Sequence, residues 1–336
     1  MKFSGRLSQT DGGKLTDYWS GKKILVTGGA GFLGSEVVRN LTTVRKVHPN
    51  QVIIPRSHEF DLRRWEDCER VVKGTDIVIH LAARVGGIGF NQENPGSLFY
   101  DNMLMGVNMI EAARRAKAMK FVQLGTVCAY PKYSPVPFKE DDLWNGYPEE
   151  TNAPYGIAKK SLLVMAQAYR QQYAMNIIYL LPVNLYGPGD NFDLKSSHVI
   201  PALIRKFIEA KENGSDIVEI WGTGKSSREF LYVGDAAEAI LLASERYDKP
   251  LPVNLGTGEE ITISALTKTI ADLVDYHGTV KWLTTKPDGQ PRRRLDTTRA
   301  KYEFGFEATI DLEKGLKRTI DWFVENREKL KDTIVS

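Results

Sequence analysis

A cluster of four glycines directly behind an apolar strand pattern constrains this chain more than any other feature. Residues 22–27 read KKILVT, the β-branched and aliphatic content of a buried strand. They run straight into Gly28-Gly29-Ala30-Gly31-Phe32-Leu33-Gly34, and helical periodicity continues from Phe32 to about Leu41. The spacing is GxxGxxG at a strand-to-helix junction. Glycine permits the tight turn and lets the backbone approach a pyrophosphate. The helix N-terminus adds N–H donors and positive partial charge. A glycine pattern alone is a weak signal, but at such a junction near the chain start it predicts a dinucleotide site.

The rest of the first half repeats the strand–helix alternation. Strands are predicted at 51–55, 76–80, 120–124 and 176–181, with a short helix before the second of these and longer helices at about 95–117 and 155–173. This pattern implies βαβ units and an α/β fold, a doubly wound parallel Rossmann sheet. After Gly187 the pattern changes. A helix at about 198–213 and short strands at 218–221 and 230–233 predict a smaller C-terminal α/β substrate-binding region, with some segments returning to the sheet. The expected division is a flexible extension over 1–20, anchored by Tyr18 and Trp19, a Rossmann domain over 21–186 and the substrate region over 187–336.

Composition excludes several classes. A formal charge of +3 on 336 residues, with no dominant Lys/Arg tract, argues against nucleic acid as a partner. No apolar run approaches a membrane span, and residues 1–20 have no apolar signal core. Two cysteines, Cys68 and Cys128, are too few for a disulfide scaffold and predict a reducing, cytoplasmic setting. No metal-ligand pattern is present.

Two further features sharpen the chemistry. The end of the second strand reads Pro55-Arg56-Ser57-His58, where an acid would favour NAD through the ribose 2′-hydroxyl. Arg56 instead suits a 2′-phosphate, so NADP(H) is the expected cofactor; the plainer reading is a solvated loop charge. Asp61 and Leu62 are either adenine contacts or, for Asp61, a helix N-cap. Tyr155-Gly156-Ile157-Ala158-Lys159 is YxxxK, which places a phenol and an ammonium on one helix face. The lysine is expected to lower the phenol pKa, so that Tyr155 exchanges a proton with a carbonyl oxygen during hydride transfer. Thr126, after Leu124-Gly125, would share that oxygen. Together these features resemble the extended short-chain dehydrogenase/reductases.

A closer resemblance rests on longer runs: Ala82–Ile88 (AARVGGI), Gly125–Lys132 (GTVCAYPK), Asn184-Leu185-Tyr186-Gly187-Pro188, Asp190-Asn191-Phe192, Ser197–Leu203 (SHVIPAL), Trp221-Gly222-Thr223-Gly224, Arg228-Glu229-Phe230 and Lys286-Pro287-Asp288-Gly289. In that order they resemble the GDP-L-fucose synthase family. The resemblance implies 3,5-epimerisation and 4-keto reduction of a GDP-linked 4-keto-6-deoxy sugar. It also implies Cys128 as base, His198 as acid, Pro182, Val183, Asn184, Leu185 and His198 as cofactor contacts, and a homodimer built on the two long helices. It places Lys206, Trp221, Arg228 and Asp288 at the sugar nucleotide. Ala30 stands where some members carry arginine, Thr126 replaces a frequent serine, and Lys206 replaces an arginine.

The chemistry accounts for the second acid–base pair. A C4 ketone acidifies the hydrogens at C3 and C5, and inversion needs proton removal from one face and delivery to the other. Taken singly, Cys128 reads as a small core residue, His198 as a helix-start polar residue with Ser196 or Ser197 as cap, Lys206 as surface charge and Trp221 as core. A helix start also disfavours imidazolium. Arg292-Arg293-Arg294 reads as a solvated run or an anion site. The competing functions are a related epimerase or 4-keto reductase on another nucleotide-sugar, and a silent dinucleotide sensor.

Overall fold

The computed structural model describes the backbone of residues 18–334 and the side chains of residues 18–328. Residues 1–17 of the predicted 1–20 extension lie outside the described residues. Tyr18 and Trp19 do anchor its end. Trp19 is buried, its indole N–H donates to Glu245 at 2.7 Å, and the Tyr18 ring meets it edge-on at 4.8 Å.

In chain order, β1 (Ile24–Thr27) feeds α1 (Phe32–Thr43), then β2 (Val52–Ile53), α2 (Trp65–Val72) and β3 (Ile77–His80). Next come α3 (Ile88–Glu93), α4 (Pro95–Arg115), β4 (Lys120–Leu124), α5 (Ala153–Tyr173) and β5 (Ile177–Pro182). The second half holds β6 (Asn184–Tyr186), α6 (Val199–Glu212), β7 (Ile217–Trp221), β8 (Ser227–Arg228), β9 (Phe230–Tyr232), α7 (Val233–Arg246) and β10 (Val253–Leu255). It ends with β11 (Ile261–Thr262), α8 (Ile263–Val274), β12 (Thr279–Leu283), α9 (Thr298–Phe304) and α10 (Leu312–Ile334).

Six strands form one parallel sheet in the order β10-β5-β4-β3-β1-β2. β1, β3, β4 and β5 are buried along their whole length, as a sheet covered by helices on both faces requires. The fold is therefore the predicted doubly wound α/β architecture. The second strand is shorter than expected. Gln51 belongs to a 3-10 turn, and Pro55 has no N–H for a ladder, so only Val52 and Ile53 pair with β1.

Two apolar cores result. One surrounds the sheet and takes in Ile24, Val78, Val122, Ile178, Ile240 and Leu255. The other gathers Phe192, Ile204, Phe207, Leu266, Ile270 and Leu316, with Phe192 stacked on Phe323 at 4.4 Å. The expected return to the sheet is made by β10, which pairs with β5, while α7 packs on α1. Buried Arg45 at the end of α1 fastens that contact, reaching Glu238 at 2.7 Å and Glu245 at 3.0 Å on α7. Among the described residues no helix is long and apolar enough to cross a membrane, and no group of His, Cys, Asp and Glu side chains is arranged to hold a metal.

Candidate active site

The sheet reverses its winding between β1 and β3, and a cleft of about 1070 Å³ opens at that point. Gly28 turns the chain there with φ +70°, and a Cβ on it would lie 2.9 Å from Ala82 N on the loop after β3. At Gly34 a Cβ would meet the Gly28 carbonyl at 2.0 Å, so the third glycine sets how closely α1 sits against the turn. The N-cap of α1 is Gly31, which offers no side-chain oxygen, and no acid stands in the first turn. The first N–H groups are thus left for an anion. Gly28, Ala30, Gly31, Phe32, Leu33 and Gly34 line the cleft. Gly29 does not: its hydrogen side faces Ile54 and the Val26 carbonyl, which makes it a packing glycine.

Arg56, Asp61 and Leu62 line the far end of the cleft. Arg56 is exposed and has no acidic partner among the described residues. Neighbouring Arg63 is different, because it is held by Asp61 at 2.8 Å and Asp101 at 3.2 Å. Asp61 is not the N-cap of α2; that position is Arg64, and the Asp61 carboxylate closes a turn onto Arg63 N at 3.0 Å. The Arg63 guanidinium holds its pKa below the usual carboxylate range.

Deeper in, α5 brings Tyr155 and Lys159 to the end of β4, where Thr126 opens a 3-10 turn and accepts from Cys128 N at 3.2 Å. The approach depends on Gly156, whose Cβ would strike the Cys128 carbonyl at 2.3 Å. Burial raises the Tyr155 phenol above its ordinary range, Cys128 adds to this, and a hydrogen bond with Thr126 opposes it. Lys159 is not among the groups that lower it, contrary to the sequence expectation. Lys159 is itself pulled down to about 8 by burial. Its ammonium has no hydrogen-bond acceptor among the described residues, an orphan donor pointing to a ligand. Beneath it, fully buried His80 accepts or donates at 2.7 Å to Thr27 and is held neutral, with a pKa of about 3 from burial and the Lys159 charge.

Leu124, Gly125, Pro182, Val183, Asn184 and Leu185 form the floor beside these groups. His198 faces the cleft from the opposite side as the N-cap of α6; Ser196 instead bonds Asp193 at 2.9 Å, and neither serine caps the helix. Its ring is open to the cleft, and surrounding protein followed by the Arg293 charge pushes its pKa down.

Lys206, Trp221, Arg228 and Asp288 also line this wall. Lys206 donates to the Glu219 carbonyl at 2.7 Å, and Trp221 is 46% exposed with the Lys286 ammonium 4.9 Å above its ring. Trp221 is therefore not the core residue its type alone suggests. Arg228 is buried, and its hydrogen bonds go to the carbonyls of Ser227 and Asp288 at 2.7 and 2.8 Å. Burial, and then Arg293, bring its pKa to about 9. The Asp288 carboxylate holds Thr223 through N and Oγ1, each at 2.7 Å, so it braces the Trp221–Gly224 turn.

Sequence reasoning did not single out Asp190 or Gly156, and it left Arg293 in a run read as either solvated or an anion site. Asp190 lines the cleft, 7% exposed, with Oδ2 unpartnered and a pKa pushed up to about 7 by burial. The signal for Gly156 was its place between Tyr155 and Lys159 on a helix, where glycine is unfavourable unless something packs closely.

Residues 24–256 match the family model described as NAD dependent epimerase/dehydratase family. The chain is 39% identical to a GDP-L-fucose synthase of Sinorhizobium fredii, over 91% of this chain and 96% of that protein. It is 36% identical to a GDP-L-colitose synthase of Yersinia pseudotuberculosis, over 92% and 98%. A crystal structure of a GDP-L-fucose synthetase from Naegleria fowleri bound to NADP superposes with a TM-score of 0.81 at 29% identity, covering 92% of this chain and 95% of that one. The chain belongs to the NAD dependent epimerase/dehydratase family, with GDP-L-fucose synthases among its relatives.

Proposed function

We propose that the protein converts GDP-4-keto-6-deoxy-D-mannose to GDP-L-fucose by 3,5-epimerisation and NADPH-dependent 4-keto reduction. One observation carries this reading. A single cleft holds two separate proton-transfer sets, Thr126–Tyr155–Lys159 and Cys128–His198, beside two buried guanidinium groups with no acidic partner among the described residues. A simple reductase needs only the first set. The unmatched charge of Arg228 calls for an anion, which a nucleoside diphosphate supplies.

The residues divide the work as follows. Thr126 and Tyr155 hold O4 of the keto-sugar, so that charge developing there on carbon deprotonation meets hydroxyl donors. The Cys128 thiolate takes the proton from C3 or C5, and His198 returns one from the opposite face. Burial, and then the Arg293 charge, disfavour the imidazolium of His198. A diphosphate held at Arg228 offsets that charge, so the acid is armed when substrate arrives. Once both centres are inverted, Tyr155 gives its proton to O4. NADPH, when bound, would supply the hydride; the bare N-terminus of α1 would hold its pyrophosphate, Arg56 its 2′-phosphate, and Lys159 would donate to it beside Tyr155.

We assign the cytoplasm as location. The partner is a second copy of the chain, docked through α4 and α5, which pack together and expose Phe99, Tyr100 and Val164. The deciding experiment is incubation with the keto-sugar and NADPH, with the product resolved by NMR. GDP-L-fucose formed with stoichiometric NADPH oxidation is the expected result. A product with unepimerised C3 and C5 would reduce the protein to a 4-keto reductase, and inversion without NADPH oxidation would make it a pure epimerase. The colitose synthase relationship makes a second GDP-linked keto-sugar the natural competitor substrate.

A further inference from the structure

The Arg292–Arg294 run is not uniform. The segment is extended and pinned on both sides: Phe138 N donates to the Arg294 carbonyl at 2.7 Å, Leu295 N donates to the buried Glu229 carboxylate at 2.6 Å, and Ser227 N donates to the Pro291 carbonyl at 3.0 Å. Side chains alternate in such a segment. Arg292 points out and pairs with Glu260, whereas Arg293 and Leu295 point in, 5% and 1% exposed. The Arg293 guanidinium is held on three sides by neutral partners. Nε and Nη2 donate to Gln290 Oε1 at 3.3 and 3.2 Å, and Nη1 donates to Asn184 Oδ1 at 3.2 Å and lies 3.8 Å from Cys128 Sγ. Gln290 is itself fixed, 2% exposed and donating to the carbonyls of Pro131 and Lys132 just beyond Cys128.

This is a buried cation with no carboxylate in ion-pair range among the described residues. Such a group is costly unless a negative charge faces it. The sulfur is the group beside it able to carry one. The other groups that act on this corner of the cleft do not remove the need. Arg228 is a second cation that senses both Cys128 and Arg293; the two acids Arg228 senses are engaged elsewhere, Glu149 by Thr151 and Asn152 and Asp288 by Thr223; burial raises the Tyr155 phenol pKa; burial and then the Arg293 charge disfavour the imidazolium of His198.

We propose that Arg293 is a positioning residue that holds Cys128 as a thiolate and aims it into the cleft, so that the sulfur serves as the base of carbon deprotonation. The thiol proton leaves to solvent. The thiolate then takes a proton from the carbon next to the ketone, giving a neutral thiol, and the C–H electron pair moves into the C–C bond and onto O4. The inference rests on the epimerase reading for its chemical consequence, but its central claim concerns only the charge on a sulfur.

The test is therefore made first without substrate. Alkylation of the full-length protein by iodoacetamide is followed across pH, with Cys128 identified by mass spectrometry and Cys128→Ser as the blank. Cys68 is fully buried and bonded to the Leu62 carbonyl. Arg293→Met should slow alkylation of Cys128 near neutral pH by roughly ten-fold and move the inflection to higher pH, with the limiting rate at high pH unchanged. Arg293→Lys keeps a positive charge on a shorter reach and should restore most of the neutral rate. Deuterium exchange into the keto-sugar should fall in parallel in Arg293→Met and recover as pH is raised. An unchanged alkylation profile in both variants overturns the proposal. A raised KM for the keto-sugar with that profile unchanged also overturns it, and makes Arg293 a diphosphate ligand instead. If the wild-type protein exchanges no sugar hydrogens, the epimerase reading fails, while the alkylation profile still decides the role of Arg293.

Discussion

The two walls of the cleft hold their side chains by different means. On the sheet wall Thr126, Tyr155 and Lys159 sit on a strand end and one helix, and their relative positions follow from backbone geometry plus the close contact at Gly156. On the facing wall Lys206, Trp221 and Arg228 come from a helix and two short strands; Lys206 and Arg228 are fixed by hydrogen bonds to the carbonyls of Glu219, Ser227 and Asp288, and Trp221 lies under the Lys286 ammonium. The difference fits the division of labour proposed above for the ketone reduction and for holding the sugar nucleotide, with His198 the one proposed acid–base group carried on the facing wall. Chemistry needs a fixed mutual geometry, which regular elements provide locally. Recognition of a long charged ligand needs contacts spread over many ångströms, which only tertiary assembly brings together.

That division is open to direct attack. The largest expected effect is at Tyr155. Replacing it with Phe should lower ketone reduction by roughly 10²-fold or more, the scale of general acid catalysis, while hydrogen exchange at C3 and C5 in D₂O persists. Reduction near the wild-type rate would remove the phenol from the mechanism. Next is Arg228→Met on the facing wall. Losing charged hydrogen bonds to a diphosphate should raise KM for the sugar nucleotide by roughly 10- to 100-fold and leave kcat nearly unaltered. A collapse of kcat at constant KM would show that the walls are not divided in this way. Arg56 tests the reverse case, a recognition residue on the sheet side. Arg56→Ala should raise KM for NADPH by about ten-fold and leave that for NADH unchanged; equal effects on both would mark the residue as structural.

The smallest effect is a pH dependence. Lys159 has its pKa lowered to about 8, so its charge is present below that value and lost above it. If the charged form holds the cofactor, kcat/KM for NADPH should decline as pH rises through about 8, and Lys159→Met should flatten that limb of the profile. A wild-type profile level across that range would exclude the ammonium from cofactor binding.

The same contrast explains what could be read from sequence. The glycine turn, the strands of the sheet and the Tyr155–Lys159 pair were legible because each is a short-range pattern with a local physical cause. The resemblance to a known family added Cys128, His198 and the residues of the facing wall, which no periodicity marks. What stayed hidden was long-range. Arg293 looks like its neighbours until Gln290, Asn184 and Cys128 surround it. The Asp61 carboxylate was open to a helix cap and is taken by Arg63 instead. Lys159 was expected to lower the phenol pKa from its spacing, whereas the desolvation that dominates both groups depends on what covers them. One signal was available and unused: in an extended stretch ending at Leu295, an inward position two residues earlier belongs to Arg293.

One strand of the sheet bears on how the molecule is put together in time. β10 pairs with β5, yet residues from β6 through α7 intervene, and several of those elements belong to the other core. During synthesis from the N-terminus, the ribosome therefore releases β5 with one flank bare, and its ladder partner follows only when Leu255 has emerged. Sealing the sheet requires a closed loop of chain containing much of the opposite wall, so the edge is protected late, by a long-range pairing of the kind that slows folding. No single cut separates the cofactor half from the sugar half with both intact. The halves are interleaved along the chain, and a complete cofactor-binding sheet comes only with part of the sugar-binding wall already made.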